Sequence, residues 1–289
     1  MMAATAGAGM AREPNLLMRI ASRPTALIGL IIVTIVIVLS VLAPLIAPYA
    51  PGQIAVRFRL QGPSLAHLMG TDELGRDVFS RVLHSGRTSL GVGFAVVIFA
   101  SLIGVTLGLV AGFFRRFDAP VSRLIDAMMA FPDILLAIAL VAALGPSATN
   151  VVIALGIVYA PRLARVVRAS TLVIRELPYV EAARALGVPT PVILVRHVLR
   201  NVTSPLLVQA TFIFANAILA EAGLSFLGVG ISPDIPTWGT MISVGRQFLD
   251  QAPWIMWFPG SAIILTVLSL QLLGDGLRDF LDPRLAKDV

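Results

Sequence analysis

The sequence predicts an all-α membrane protein of six transmembrane helices with both termini on the cytoplasmic side. Three observations carry that expectation. Of the 289 residues, 57% are hydrophobic and only 13% charged, whereas ordinary soluble domains carry roughly 25% charged residues; the mean hydropathy is +0.90. Uncharged runs recur at lengths suited to a hydrocarbon core of roughly 30 Å, which takes about 20 helical residues to cross. The arginines gather at the ends of those runs, as they do in membrane proteins. The net charge of +6 therefore reads as membrane topology, and no nucleic-acid partner is expected.

The first span is expected at 25–47, "TALIGLIIVTIVIVLSVLAPLIA", which holds no charge and makes a helix of about 34 Å. Arg12, Arg19 and Arg23 precede it. A secretory signal has a shorter apolar region, roughly 7–15 residues, and a small-residue cleavage site, so the span is read as uncleaved and 1–24 as a cytoplasmic N-terminal segment. The second span is expected at 88–114. Gly104, Gly108 and Gly112 fall on one face of it, where a neighbouring backbone can approach closely; packing is preferred to a pore role. The uncharged stretch 134–161 is too long for one span and too short for two. "GPSATN" (145–150) breaks it, giving a hairpin with arms at 124–145 and 148–168. Asp126 and Asp133 then read as end-of-helix carboxylates, and Arg162, Arg165 and Arg168 as side chains that snorkel into the headgroups. The fifth span is expected at 205–228 with Glu221 inside it. The sixth, 254–274, opens with Trp254 and Trp257, which suit a membrane interface. The transmembrane domain is taken as 25–285 and the tail as 286–289.

Orientation follows from the basic residues. With the N-terminus inside, sixteen Lys and Arg are cytoplasmic and six lie outside, which satisfies the positive-inside rule.

Several function classes drop out. With no cysteine there is no thiolate nucleophile and no cysteine metal site. Lys287 is the one lysine, and no G-x-x-x-x-G-K-[ST] surrounds it, so the chain is not a P-loop ATPase. His67, His84 and His197 lie far apart and read as ordinary polar residues, so no metal site, bound cofactor or catalytic residue is expected. An ion-coupled secondary transporter is a weaker alternative, because such proteins tend to have repeats, broken helices and midplane ionisable groups, and Glu221 is the one candidate here. An intramembrane enzyme lacks a clustered nucleophile and base.

The largest cytoplasmic loop, 169–204, contains "VEAARALGVPTPVILVRH" (180–197). Pro178 is tolerable in a first turn, and Glu181, Ala182, Ala183, Arg184, Ala185 and Leu186 favour helix. Gly187 supplies a stop, after which Pro189 and Pro191 allow a second helical segment over 191–199. The expected result is a rigid helix–turn–helix on the inner membrane face, joined to two spans so that force on it tilts both. In the first outer loop, Asp72, Glu73, Arg76, Asp77 and Arg81 alternate in sign and could pair along an amphipathic surface helix; contact with a substrate-delivery protein is the competing reading. Glu221 has two readings as well. It lines a path or gate, or it sits near the outer helix end where water or arginine satisfies it; the second is preferred.

The EAA-x₃-G run and the apolar helix ending near "RHVLRN" resemble the EAA loop of ABC-importer permeases. "GTDELGRDVFSRVLHSGRTSLGVG" (70–93), "FPDILLAIALVAALGPS" (131–147), "EAGLSFLGVGISPDIPTWG" (221–239) and "FPGSAIILTVLSLQLLGDGLRDFLDPR" (258–284) resemble the C-type permease of dipeptide and oligopeptide importers. The resemblance covers roughly 25–285 and implies the type I ABC-importer permease fold in a bacterial inner membrane. It further implies that the loop is a coupling helix docking into ATP-binding subunits, with Glu181, Ala182, Ala183 and Gly187 matching the motif and Arg184 lying inside it. The alternative for Glu181 is a solvated loop charge. Implied partners are a second homologous permease, two ATP-binding subunits carrying ATP and Mg, an extracytoplasmic solute-binding protein and membrane lipid. Di- or oligopeptides are the implied cargo, with nickel chelates or glutathione as alternatives. One departure is Arg200, where the family usually has Pro; it bears on how the coupling helix ends.

Overall fold

Long uncharged segments must satisfy their backbone internally if they enter lipid, and helices do so. The computed structural model describes residues 24–281; the segment before them, with Arg12, Arg19 and Arg23, and the end of the chain lie outside the described residues. Those described are helical throughout apart from loops and one isolated bridge, Thr71 to Asp77. In chain order the helices are α1 (Pro24–Val41), the short α2 (Ala43–Ile46), α3 (Val78–Phe113), α4 (Arg115–Met129), α5 (Asp133–Leu144) and α6 (Ala148–Ile174). After α7 (Pro178–Ala185) a single turn, Thr190–Val192, leads through a π-helical stretch, Ile193–Leu199, into α8 (Arg200–Phe226). The last two are α9 (Trp238–Gly245) and α10 (Trp254–Leu281). Five helical stretches are long and apolar enough to cross a membrane, and α4 with α5 makes a sixth if the bent pair counts as one span.

The central pairing is α3 on α6. A Cβ added at Gly104, Gly108 or Gly112 would lie 2.6 Å from the Cβ of Leu163, Val167 or Thr171 respectively. Three glycines four apart meet three larger residues four apart, so the helices touch backbone to backbone along three turns. α1 closes on α10 in the same way: a Cβ at Gly29 would come within 2.6 Å of the Ser269 carbonyl. The main core joins Val96, Ala100, Leu155, Tyr159, Leu163 and Ile213 from α3, α6 and α8.

Five expectations are corrected. The charged outer segment is not an amphipathic helix. Asp77 accepts a hydrogen bond from Ser80 N at 2.8 Å and so caps α3 at Val78. Helix α3 therefore starts well before 88 and its 36 residues span about 54 Å. The charges around the cap form a tight knot: Arg76 contacts Asp72 and Glu73 at 2.6 Å each, and Arg81, in the first turn of α3, lies 3.6 Å from Asp72.

The arm expected at 124–145 is broken into α4 and α5, which meet at 91°. Pro132 lacks an amide hydrogen and pushes Phe131 out of the helical region, so α4 stops and α5 restarts at Asp133. Arg162, Arg165 and Arg168 do not snorkel freely. Each pairs across this bend, Arg162 with Asp133, Arg165 with Asp126 at 2.7 Å and Arg168 with Asp118 at 2.6 Å. The fifth span does not begin near 205: helix runs without a stop from Thr190 to Phe226, straight through Arg200. The coupling segment's second helix and the span are one rod.

Candidate functional site

The elbow between α6 and α8 is built from local signals. Arg175 caps α6 and donates from Nη1 to the Gly112 carbonyl at 2.7 Å, tying the elbow's entry to the end of α3. Pro178 occupies the first turn of α7, where its missing amide hydrogen costs nothing. Glu181 lies in that first turn and Arg184 in the last, each on the side that the helix dipole favours. The helix ends in a Schellman motif: Gly187 N donates to Arg184 O and Val188 N to Ala183 O, both at 3.0 Å. Gly187 adopts φ +75°, a conformation that glycine reaches without penalty.

One face of α7 is turned in. Val180 and Ala183 are buried against Val167, Ile174, Ile193, Val198 and Val202, which locks the elbow to both neighbouring rods. Asn201 Nδ2 donates to the Tyr179 hydroxyl at 3.2 Å. The other face is open: Tyr179, Glu181, Ala182, Arg184, Ala185 and Leu186 are exposed, Leu186 at 83%. Arg184 stacks over Phe113 at 4.7 Å and borders an open cleft of about 600 Å³ with Phe114, Arg115 and Arg116. The surface is therefore apolar at its centre and basic on one side, with Glu181 the exposed acid of α7. Of the residues singled out from the sequence, the elbow gathers Glu181, Ala182, Arg184 and Gly187 on or beside its open face, while Ala183 is turned inward.

Glu221 is elsewhere. It lies near the end of α8, as expected, but it is 1% exposed and its partners among the described residues are hydroxyls, where water or arginine is the expected company. Its Oε1 accepts from the Ser225 and Thr237 hydroxyls at 2.9 Å each. Its Oε2 has no hydrogen-bond partner among the described residues. Thr237 is also the cap of α9, in a capping box with Thr240. The carboxylate thus ties α8 to the start of α9, and Trp238 ties α9 to α3: its N donates to Ser89 Oγ at 3.0 Å and its Nε1 to Val82 O at 2.9 Å. Thr237, Ser225 and the Asp118–Arg168 pair were not singled out from the sequence. "TWGT" carried a local capping signal, whereas the Asp118–Arg168 contact joins residues far apart in the chain and left none.

The described residues thus form a helical bundle with membrane-length spans and an exposed elbow joining two of its rods. Residues 104–287 match a family described as "Binding-protein-dependent transport system inner membrane component", and residues 16–63 match "N-terminal TM domain of oligopeptide transport permease C". The chain belongs to the family of inner membrane components of binding-protein-dependent transport systems. Among its relatives is a putative peptide transport system permease protein of Brucella suis, 50% identical over 92% of this chain and 90% of that protein. The dipeptide transport system permease protein DppC of Alkalihalophilus pseudofirmus is 47% identical, covering 90% of this chain and 86% of its own length. The glutathione transport system permease protein GsiD of Pectobacterium atrosepticum is 46% identical over 78% and 75%.

Proposed function

We propose that this chain is one of two membrane subunits of an ATP-driven importer in a bacterial inner membrane, with six spans and both termini in the cytoplasm. A second permease completes the path, two ATP-binding subunits holding ATP and Mg drive it, and an extracytoplasmic binding protein delivers the solute. The observation that carries the reading is the elbow. Its outer face is unpartnered among the described residues, while its inner face is packed against two rods, so a push from a docked subunit passes to both. Glu181, Ala182, Arg184 and Gly187 form or shape the docking surface, and Ala183 seats it. Closure of the ATPases then tilts the paired permeases from inward-facing to outward-facing.

Peptides are the proposed cargo, supported by the names of the Brucella and Alkalihalophilus relatives. Glutathione is the second reading, supported by the relative from Pectobacterium; nickel chelates remain a further alternative from family resemblance. For Glu221, the hydroxyl contacts favour a part in holding the α8–α9 junction, the region of a gate, over lining an open path.

The test is reconstitution with the candidate ATPases in vesicles. Uptake should require ATP and survive proton and sodium ionophores. Glu181→Ala and Gly187→Pro should lower co-purification of the ATPases without reducing membrane insertion. Normal co-purification with both variants overturns the docking surface, and uptake by the chain alone overturns the subunit reading.

A further inference from the structure

Arg87 stands apart from the other arginines of its region. Arg76 and Arg81 are engaged by Asp72, but Arg87 is exposed and has no polar partner among the described residues. It borders a cleft of about 330 Å³ whose other walls are Ile37, Ser40 and Val41 of α1, Leu90, Gly91 and Phe94 of α3, and Phe214 of α8. Apart from the guanidinium and the Ser40 hydroxyl, the walls are apolar.

The level of this cleft decides what it fits. A Cβ on Gly86 would overlap Ser40 Oγ, so Arg87 is level with the end of α1. Arg87 is also the last charge before the uncharged run 88–114 of α3, which puts its guanidinium at the edge of the apolar layer. From there the cleft runs inward. Leu90 and Phe94 follow Arg87 by about one and two turns, and Ile37 precedes Val41 by one. Gly91 keeps the mouth open, being exposed with nothing within 4 Å of an added Cβ.

The geometry points to a glycerophospholipid site, with the phosphate on the Arg87 guanidinium and the first part of an acyl chain lying along Leu90, Phe94 and Phe214. A planar guanidinium offers a fork of donors that matches phosphate oxygens. An apolar slot descending from that cation complements the rest of the amphiphile. A carboxylate on a neighbouring subunit would account for the arginine but not for the slot beside Gly91. The inference rests on the chain spanning a membrane and is independent of which solute it carries.

The test uses the assembled complex in detergent, stripped of lipid and titrated with phosphatidylglycerol under native mass spectrometry. Arg87→Gln removes the charge, and Gly91→Leu fills the slot at an exposed helical position that tolerates a side chain. Each should weaken lipid binding about tenfold, and inorganic phosphate should not compete at lipid-saturating concentrations. Unchanged binding in both variants overturns the site. Effective competition by inorganic phosphate overturns the acyl slot and leaves an anion site only. Because the chain has no cysteine, Gly91→Cys gives a single reporter: labelling by a membrane-soluble maleimide in the stripped complex supports the lipid site, and protection by a neighbouring subunit overturns it. Neither readout involves transport, so failure here leaves the importer reading intact, and failure of ATP-driven uptake leaves this one.

Discussion

Gly187 and Gly108 are both glycines at helical positions or ends, for opposite reasons. At Gly187 nothing lies within 4 Å of an added Cβ, and the requirement is φ +75°. Gly187→Ala should therefore cost about 1 kcal/mol through backbone strain, felt in the elbow alone. At Gly108 an added Cβ would meet Val167 Cβ at 2.6 Å and the Ala164 carbonyl at 2.7 Å, and a backbone oxygen cannot move aside as a side chain can. Gly108→Ala should cost about 1–3 kcal/mol by overpacking, read as a lower melting temperature of the detergent-solubilised complex. Glu221 offers a third contrast. Glu221→Gln keeps an oxygen to accept from Ser225 and Thr237, whereas Glu221→Leu removes that acceptor from both hydroxyls, leaving Thr237 only its longer contact with Thr240 Oγ1 at 3.3 Å, at a cost of about 1–3 kcal/mol. The leucine variant should melt well below the glutamine variant; equal melting would show that the hydroxyl contacts do not hold the junction.

At the scale of elements, three ion pairs brace the bent α4–α5 arm against α6, and their exposure ranks them. Asp118 and Arg168 are 32% and 29% exposed at the side chain, whereas Asp126 and Arg165 are 66% and 52% exposed. A double-mutant cycle on the first pair should give coupling of no more than about 1 kcal/mol, and on the second close to zero, both declining with salt. This brace also marks where the sequence stops being legible. The helical cores of the apolar runs could be read because transfer into lipid depends on composition over some twenty residues. The Schellman stop at Gly187 could be read because capping is local. The direction of the chain after Pro132 could not, since it depends on Arg162, Arg165 and Arg168 arriving from another helix. Nor could the company of Glu221, whose partner Thr237 lies across a loop, or the inward turn of Ala183, which Ile193, Val198 and Val202 impose.

For the molecule as a whole, the continuous helix from Thr190 to Phe226 is the shortest mechanical route from the elbow to the buried junction at Glu221. Its weak point is the π-helical stretch Ile193–Leu199, a geometry that is rare in proteins and concentrated at functional sites. If the rod carries work, softening it should separate docking from transport. Replacing the exposed Val195 and Arg196 together by glycine lowers helix propensity by about 1 kcal/mol in all, most of it at Arg196, while leaving Pro178–Ala185 and its outer face unaltered. The ATPases should then still co-purify and hydrolyse ATP, but solute accumulated per ATP should fall severalfold in reconstituted vesicles. Unchanged stoichiometry would mean that force reaches the bundle through α6 and its glycine-lined contact with α3, without need of the α8 rod.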